Sequence, residues 1–197
     1  MKTLESNILN FEYNKIIPSV GSLLISEPYS PDTNFKRSVI LLVEHNEEGS
    51  FGFILNNPVK TSMKQLIPSF PVDEVVVSIG GPVNNNTVHY IHTYGSRVRE
   101  SIEILPGLYW GGDFESIKKI VKDEGYDASQ LRFFIGYSGW EPSQMSNELN
   151  SNFWVVFNAD KQRVMHTKHA NAWNYYMQKL GGLFKVWVNS PEDPGLN

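Results

Sequence analysis

The chain contains no cysteine. That absence excludes disulfides, thiolate metal sites and a cysteine nucleophile together. Nothing in it calls for an oxidising compartment, so a cytoplasmic address is expected. Long apolar runs are also missing. The longest, Ser38 to Val43 and Val75 to Ile79, fall far short of the ~20 residues that cross a bilayer, so no membrane association is expected. The first residues include Lys2, Glu5, Asn7, Asn10 and Glu12, which leaves no apolar segment of the signal-peptide kind. A basic excess is absent too: 17 Lys and Arg stand against 21 Asp and Glu, a net charge of −4. Such a chain lacks the global field that draws a protein onto nucleic acid.

What is present suffices for a packed core. Over 197 residues, 41% apolar side chains against 19% charged exclude a disordered chain. A chain of this length buries roughly 70% of its unfolded surface. Residues 1–20 read as an N-terminal arm or short helix, residues 21–190 as one domain, and residues 191–197 as a frayed tail.

Hydrophobic patterning predicts strands at 22–26, 38–45 and 51–55, the last two joined as a hairpin through Asn46 to Gly49. The continuous apolar run in 38–45 calls for cover on both faces. A short helix is expected at 62–67, then strands at 74–79, 88–93 and 101–105, with a turn at Asn84 to Asn86. Asp113 is a good N-cap, and Phe114, Ile117 and Val121 share one helical face that ends at Gly125. A strand at 131–135 enters Gly136-Tyr137-Ser138-Gly139-Trp140. A helix to about Asn150, a strand at 153–157 and a terminal helix at 167–180 complete the pattern. Strands and helices do not alternate regularly, which argues for α+β with a mixed or strongly bent sheet.

Several groups invite a chemical reading. Gly80-Gly81-Pro82 follows a strand, but no Gly-Lys-Ser/Thr and no Gly-x-Gly-x-x-Gly accompanies it, so a tight turn is preferred to a phosphate loop. Gly136-Tyr137-Ser138-Gly139-Trp140 approaches a nucleophile elbow, but Trp140 stands where that motif has glycine; a glycine-shaped loop plugged by Trp140 is preferred. His89 and His92 point to opposite faces of a strand and make a poor metal pair. His166 and His169 offer only two ligands, so neither metal nor cofactor is expected. His45, beside Glu44, could act as a general base, although a hydrogen-bonded structural histidine is preferred. Arg37, with Lys36, precedes the buried strand, where it could bind a carboxylate or phosphate, although a plain ion pair that ties down the Asp32 loop is preferred. The C-terminal part is locally basic, with Lys161, Arg163, Lys168, Lys179 and Lys185, and is read as a solvated face around an aromatic stripe.

Taken in order, Gly21 to Pro28, Phe35 to Ile40, Glu44-His45, Gly52 to Asn56-Asn57-Pro58, Gly80-Gly81-Pro82, His92 and Gly136 to Trp140 resemble the AlgH family, also called UPF0301 or YqgE-like. The resemblance spans residues 20–160. One departure follows Trp140: the family pattern there reads Gly-Gln-Leu-Glu, whereas this chain has Ser143-Gln144-Met145-Ser146, with Glu148 one turn on. The resemblance implies an α+β fold with a bifurcated mixed sheet, a small closed barrel portion and surrounding helices. It also implies a transcriptional-regulator label without a demonstrated DNA-reading element. The motif-bearing positions it marks are Arg37, Glu44, His45, Asn56, Gly80, Gly81, Pro82, His92, Gly136, Tyr137, Gly139 and Trp140.

The leading expectation is a binding or regulatory protein without catalysis of its own. Arg37, Glu44, His45, Asn56, Gly80, Gly81, Tyr137 and Trp140 would line one groove for a small anion or a protein partner. Two alternatives are a hydrolase using Ser138 or a water activated by His45 or His92, and a directly DNA-binding regulator.

Overall fold

The computed structural model describes residues 16–30, 32–182 and 184–189. Most of the expected arm (1–15) and the whole of the expected tail (191–197) lie outside the described residues.

Three consecutive antiparallel strands open the fold: β1 (Ser22–Ser26), β2 (Val39–Asn46) and β3 (Gly49–Ile54). Their apolar residues are continuous because both faces are covered. Leu23, Ile25, Leu41 and Phe53 enter one core cluster, while Leu24, Ile40, Leu42 and Ile54 enter another. The alternation has period two, as a pleated strand requires. After a two-residue strand β4 (Pro58–Val59) and a single-turn helix α1 (Met63–Leu66), β5 (Val77–Ile79) leads into a long β6 (Val83–His92). A hairpin, β7 (Ile102–Leu105) and β8 (Leu108–Trp110), precedes helix α2 (Phe114–Glu124). Asp113 caps α2 by accepting from the Glu115 N–H, and Gly125 closes it at φ +85°. Then follow β9 (Leu131–Trp140), α3 (Gln144–Asn150), β10 (Trp154–Asn158), α4 (Lys161–His166), α5 (Ala172–Leu180) and α6 (Phe184–Val188).

β9 organises the architecture. One of its edges is taken by β6. Its other edge is divided: β5 runs parallel to Phe133–Ile135, and β3 runs antiparallel to Ser138–Trp140. The ten-stranded sheet therefore forks, which is the bifurcation expected. The small closed barrel is not formed by strand pairing. The strand path runs β10-β1-β2-β3-β9-β6-β8-β7, and its two end strands do not pair among the described residues. The sheet nonetheless curls, since a Cβ on Gly21 would stand 2.7 Å from the Ile104 carbonyl oxygen near the end of β7.

Several sequence expectations shift. Gly136 to Trp140 is not a loop after a strand but the second half of β9. Gly136, at φ +65°, lets the strand turn without ending. The turn at Asn84 to Asn86 lies inside β6, where the register on β9 jumps between Val83 and Val88; it is a bulge, not a chain reversal. The terminal helix is shorter than 167–180, because Thr167 already serves as the C-cap of α4.

Candidate functional site

A polar concavity lies where three segments meet. They are the Thr33 to Ser38 approach to β2, Ile54 to Asn57 after β3, and Ala170 to Asn174 at the start of α5. Its volume is about 320 Å³, at the lower end of small-molecule pockets. Lys36 and Arg37 are its charged lining residues, and no acidic side chain lines it among the described residues.

Local chemistry holds these segments in place. Asn56, which ends β3, is buried and bonds in three directions. Its Oδ1 accepts from the Val39 N–H at 2.8 Å, and its Nδ2 donates to the Arg37 carbonyl at 2.9 Å and the Ala170 carbonyl at 3.4 Å. Ser26 fixes two further points. Its Oγ accepts from the Ser38 N–H at 2.9 Å, and its carbonyl accepts from Trp173 Nε1 at 2.7 Å. The Arg37 guanidinium lies 5.1 Å over the Trp173 ring. Arg37 also sits at φ +50°, a left-handed conformation that costs a non-glycine residue about 1–2 kcal/mol. The surrounding hydrogen bonds hold that strain at the mouth of the cleft.

The third support was not legible as a site residue. Arg132, in β9, is fully buried. Its Nη1 donates to the carbonyls of Val164 at 2.8 Å and Thr167 at 3.0 Å, and its Nη2 donates to the Leu55 carbonyl at 2.6 Å. Burial pushes its guanidinium down to about 10, so it remains a cation at neutral pH. It caps the C-terminal end of α4, where a cation is favoured. It also ties Leu55, the neighbour of Asn56, to the chain that leads into Ala170. The sequence signal was an arginine between Leu131 and Phe133 in an otherwise apolar strand.

The other expected site residues lie elsewhere. Glu44 and His45 stand at the far end of β2, about 25 Å along the strand from Arg37 at 3.3 Å per residue. His45 Nδ1 meets Ser50 Oγ at 2.6 Å across the β2–β3 pair, and Glu44 accepts from Asn46 Nδ2. Gly80 and Gly81 pack on the backbone of β9: a Cβ on Gly80 would meet the Gly136 carbonyl at 2.3 Å, and one on Gly81 the Tyr137 carbonyl carbon at 2.2 Å. They are glycine because two backbones touch there. Tyr137 packs edge-on against Phe51 and His89. Trp140 is buried beside Trp154. Glu148 receives both indoles on Oε2, Trp140 Nε1 at 2.8 Å and Trp154 Nε1 at 2.6 Å, and its Oε1 accepts from Gln144 Nε2 at 2.8 Å. Of the eight residues expected to share a groove, Arg37 and Asn56 line this cleft and the other six do not.

The residues considered for hydrolysis have structural partners. Ser138 is buried mid-strand and its hydroxyl donates to the Gly80 carbonyl at 3.0 Å. His92 is fully buried; its Nε2 meets the Gly111 carbonyl at 3.1 Å, and its Nδ1 accepts from the Tyr94 N–H at 3.3 Å. Burial pulls the His92 imidazole below its ordinary pKa, against the smaller opposing effect of the Gly111 carbonyl. Among the described residues no three His, Asp or Glu side chains converge as a metal site, and no helix is long and apolar enough to cross a membrane.

Comparison with known proteins gives a consistent pattern. A family model described as AlgH-like matches residues 23–185. A UPF0301 protein of Chlorobaculum tepidum is 38% identical over 177 residues, covering 90% of this chain and 95% of that one. A UPF0301 protein of Bacteroides fragilis is 35% identical over 195 residues, covering 98% and 99%. Among solved structures, protein DIP2367 from Corynebacterium diphtheriae superposes with a TM-score of 0.74 at 23% identity, covering 90% of this chain and 95% of that one. The solution structure of the AlgH protein from Pseudomonas aeruginosa does so with a TM-score of 0.68 at 23% identity, covering 90% and 98%. At that identity the two structures speak for the fold alone.

Proposed function

The chain belongs to the AlgH-like family, and from that premise we propose that it is a cytoplasmic binding protein, without catalysis of its own, that takes a small anion in the cleft between Arg37, Asn56 and the start of α5. One observation carries the reading: Lys36 and Arg37 line the same cleft as Asn171, Trp173 and Asn174, which are the N-cap and first turn of α5. Asn171 makes no capping hydrogen bond through its side chain. A helix start points its N–H groups and the positive end of its dipole outward, and two cations beside it add to the same field. A regulatory role follows through a protein partner that distinguishes the occupied cleft from the open one. The net charge of −4 favours that route over direct DNA reading.

The test is titration of the purified chain with inorganic phosphate, followed by calorimetry. Lys36→Ala is expected to weaken binding about tenfold, the loss of one charge-assisted hydrogen bond. Lys119→Ala, on the exposed face of α2, serves as the charge-matched control and leaves affinity unchanged. Absence of phosphate binding, or equal loss in the two variants, overturns the proposal.

A further inference from the structure

The cleft wall holds two polar atoms that an anion does not explain. Ser38 is 3% exposed, and its Oγ has no hydrogen-bond partner among the described residues. The Oδ1 of Asn174, in the first turn of α5, is likewise buried and without a partner among the described residues. Both residues line the cleft. Buried polar atoms are rarely left unpaired, because each costs about 1–3 kcal/mol. The two atoms also differ in kind. A serine hydroxyl donates and accepts, whereas an amide oxygen only accepts. A carboxylate, or the dianionic phosphate of a phosphomonoester, has no donor to offer Asn174. A hydroxyl group elsewhere on the same ligand supplies such a donor.

Resting on the anion-binding reading above, we infer that the cleft takes a hydroxylated phosphomonoester of the sugar-phosphate class. Its phosphate meets Lys36, Arg37 and the start of α5, and its hydroxyl groups meet Ser38 and Asn174. Lys36 beside the start of α5 suits a phosphate group, which carries about −1.5 to −2 at neutral pH. The neutral part of the lining points to hydroxyls. Asn34, Asn57, Asn171 and Asn174 present amide forks that both donate and accept, which suits hydroxyl groups that do the same. The Trp173 ring is already covered by the Arg37 guanidinium, so the site favours hydrogen bonding to a polyol over stacking on a flat base.

Three probes separate the steps: inorganic phosphate, ribose 5-phosphate and uncharged ribose, each titrated into the full chain by calorimetry. Ribose 5-phosphate is expected to bind about tenfold tighter than phosphate, as one well-made extra hydrogen-bonded contact allows, and ribose not at all. Asn174→Leu is expected to narrow that ratio. Ser38→Ala does the same without lowering the urea midpoint, because it removes a hydroxyl that is unpaired in the protein alone. Equal affinity for phosphate and ribose 5-phosphate overturns this inference and leaves the anion cleft standing. Binding of neither probe removes both. A ratio that survives both substitutions overturns the assignment to Ser38 and Asn174.

Discussion

Replacing Arg132 by methionine is the sharpest test of how this molecule is held together. The guanidinium is fully buried and donates to three backbone carbonyls in three segments, at Leu55, Val164 and Thr167. Hydrogen bonds to a charged group contribute about 1.5–3 kcal/mol each, so three give roughly 5–9 kcal/mol gross. Against this stands the desolvation of the cation, several kcal/mol even after relaxation, which methionine gives back. The Arg132 Nε has no hydrogen-bond partner among the described residues, so part of that cost is uncompensated. The expected net loss for Arg132→Met is about 2–4 kcal/mol. In urea, at a slope of about 2 kcal/mol/M, the midpoint falls by about 1–2 M with the slope unchanged. Arg132→Lys is expected to do no better, because a point ammonium does not span three carbonyls as a planar fork does. A methionine variant as stable as the parent would falsify the claim that the three carbonyl bonds outweigh the buried charge.

Other outcomes follow from the same geometry. Glu148→Gln leaves a weaker acceptor for the two indoles of Trp140 and Trp154, and an amide N–H facing one of the three donors. A loss of about 1–3 kcal/mol is expected, read by urea unfolding together with a change in tryptophan emission. Gly81→Ala drives a Cβ to within 2.2 Å of the Tyr137 backbone; the cost is at least about 3 kcal/mol, whereas Gly111→Ala meets nothing within 4 Å and costs about 1 kcal/mol for its positive φ alone. Equal midpoints for these two variants would refute the packing account of the glycine pair. His89 and His92 are both held below the ordinary histidine value of 6.5 by burial. The unfolded chain then binds more protons below that value. Stability contributed by the two imidazoles is complete above pH 6.5 and is lost as pH falls from there through their folded values. Urea midpoints between pH 5 and 7.5 check this, and His92→Gln is expected to flatten the slope.

The strands of the first hairpin and the capped helix α2 were legible because local patterning and burial agree there. Ser38 to Val43 is apolar without interruption, and the structure covers both faces of it. Asp113 and Gly125 mark the two ends of α2 as their chemistry dictates. Misreadings cluster where tertiary contact overrides local preference. Gly136 and Gly139 look like loop residues, yet they lie in a strand whose edges are occupied by β3 and β6. Asn84 to Asn86 looks like a turn, yet pairing at Val83 and from Val88 onward makes it a bulge. The six residues from 161 onward form a short helix that no periodicity of that length can announce, and its end is fixed by Arg132, 32 residues from Val164.

The same distinction bears on what motifs reveal about function. Gly80, Gly81 and Gly136 stand out in the sequence, and the structure gives them one task. β5 and β3 share an edge of β9, so the chain leaving β5 must cross the Gly136–Tyr137 backbone closer than any Cβ permits. Those glycines are a condition of the fork in the sheet. The cleft is then furnished by residues that attract little notice in sequence: two cations before a strand, an asparagine after one, a serine and the polar first turn of a helix. Arg37 and Asn56 were visible because each sits beside a marked motif. Ser38 and Asn174 were not, because an unpaired hydroxyl or amide oxygen is a property of packing that no spacing of residue types encodes. If the cleft works as proposed, substitutions at Gly80 or Gly81 should lower ligand affinity only as far as they lower folding stability. Changes at Lys36 or Asn174 should lower affinity while leaving the unfolding free energy within about 0.5 kcal/mol of the parent.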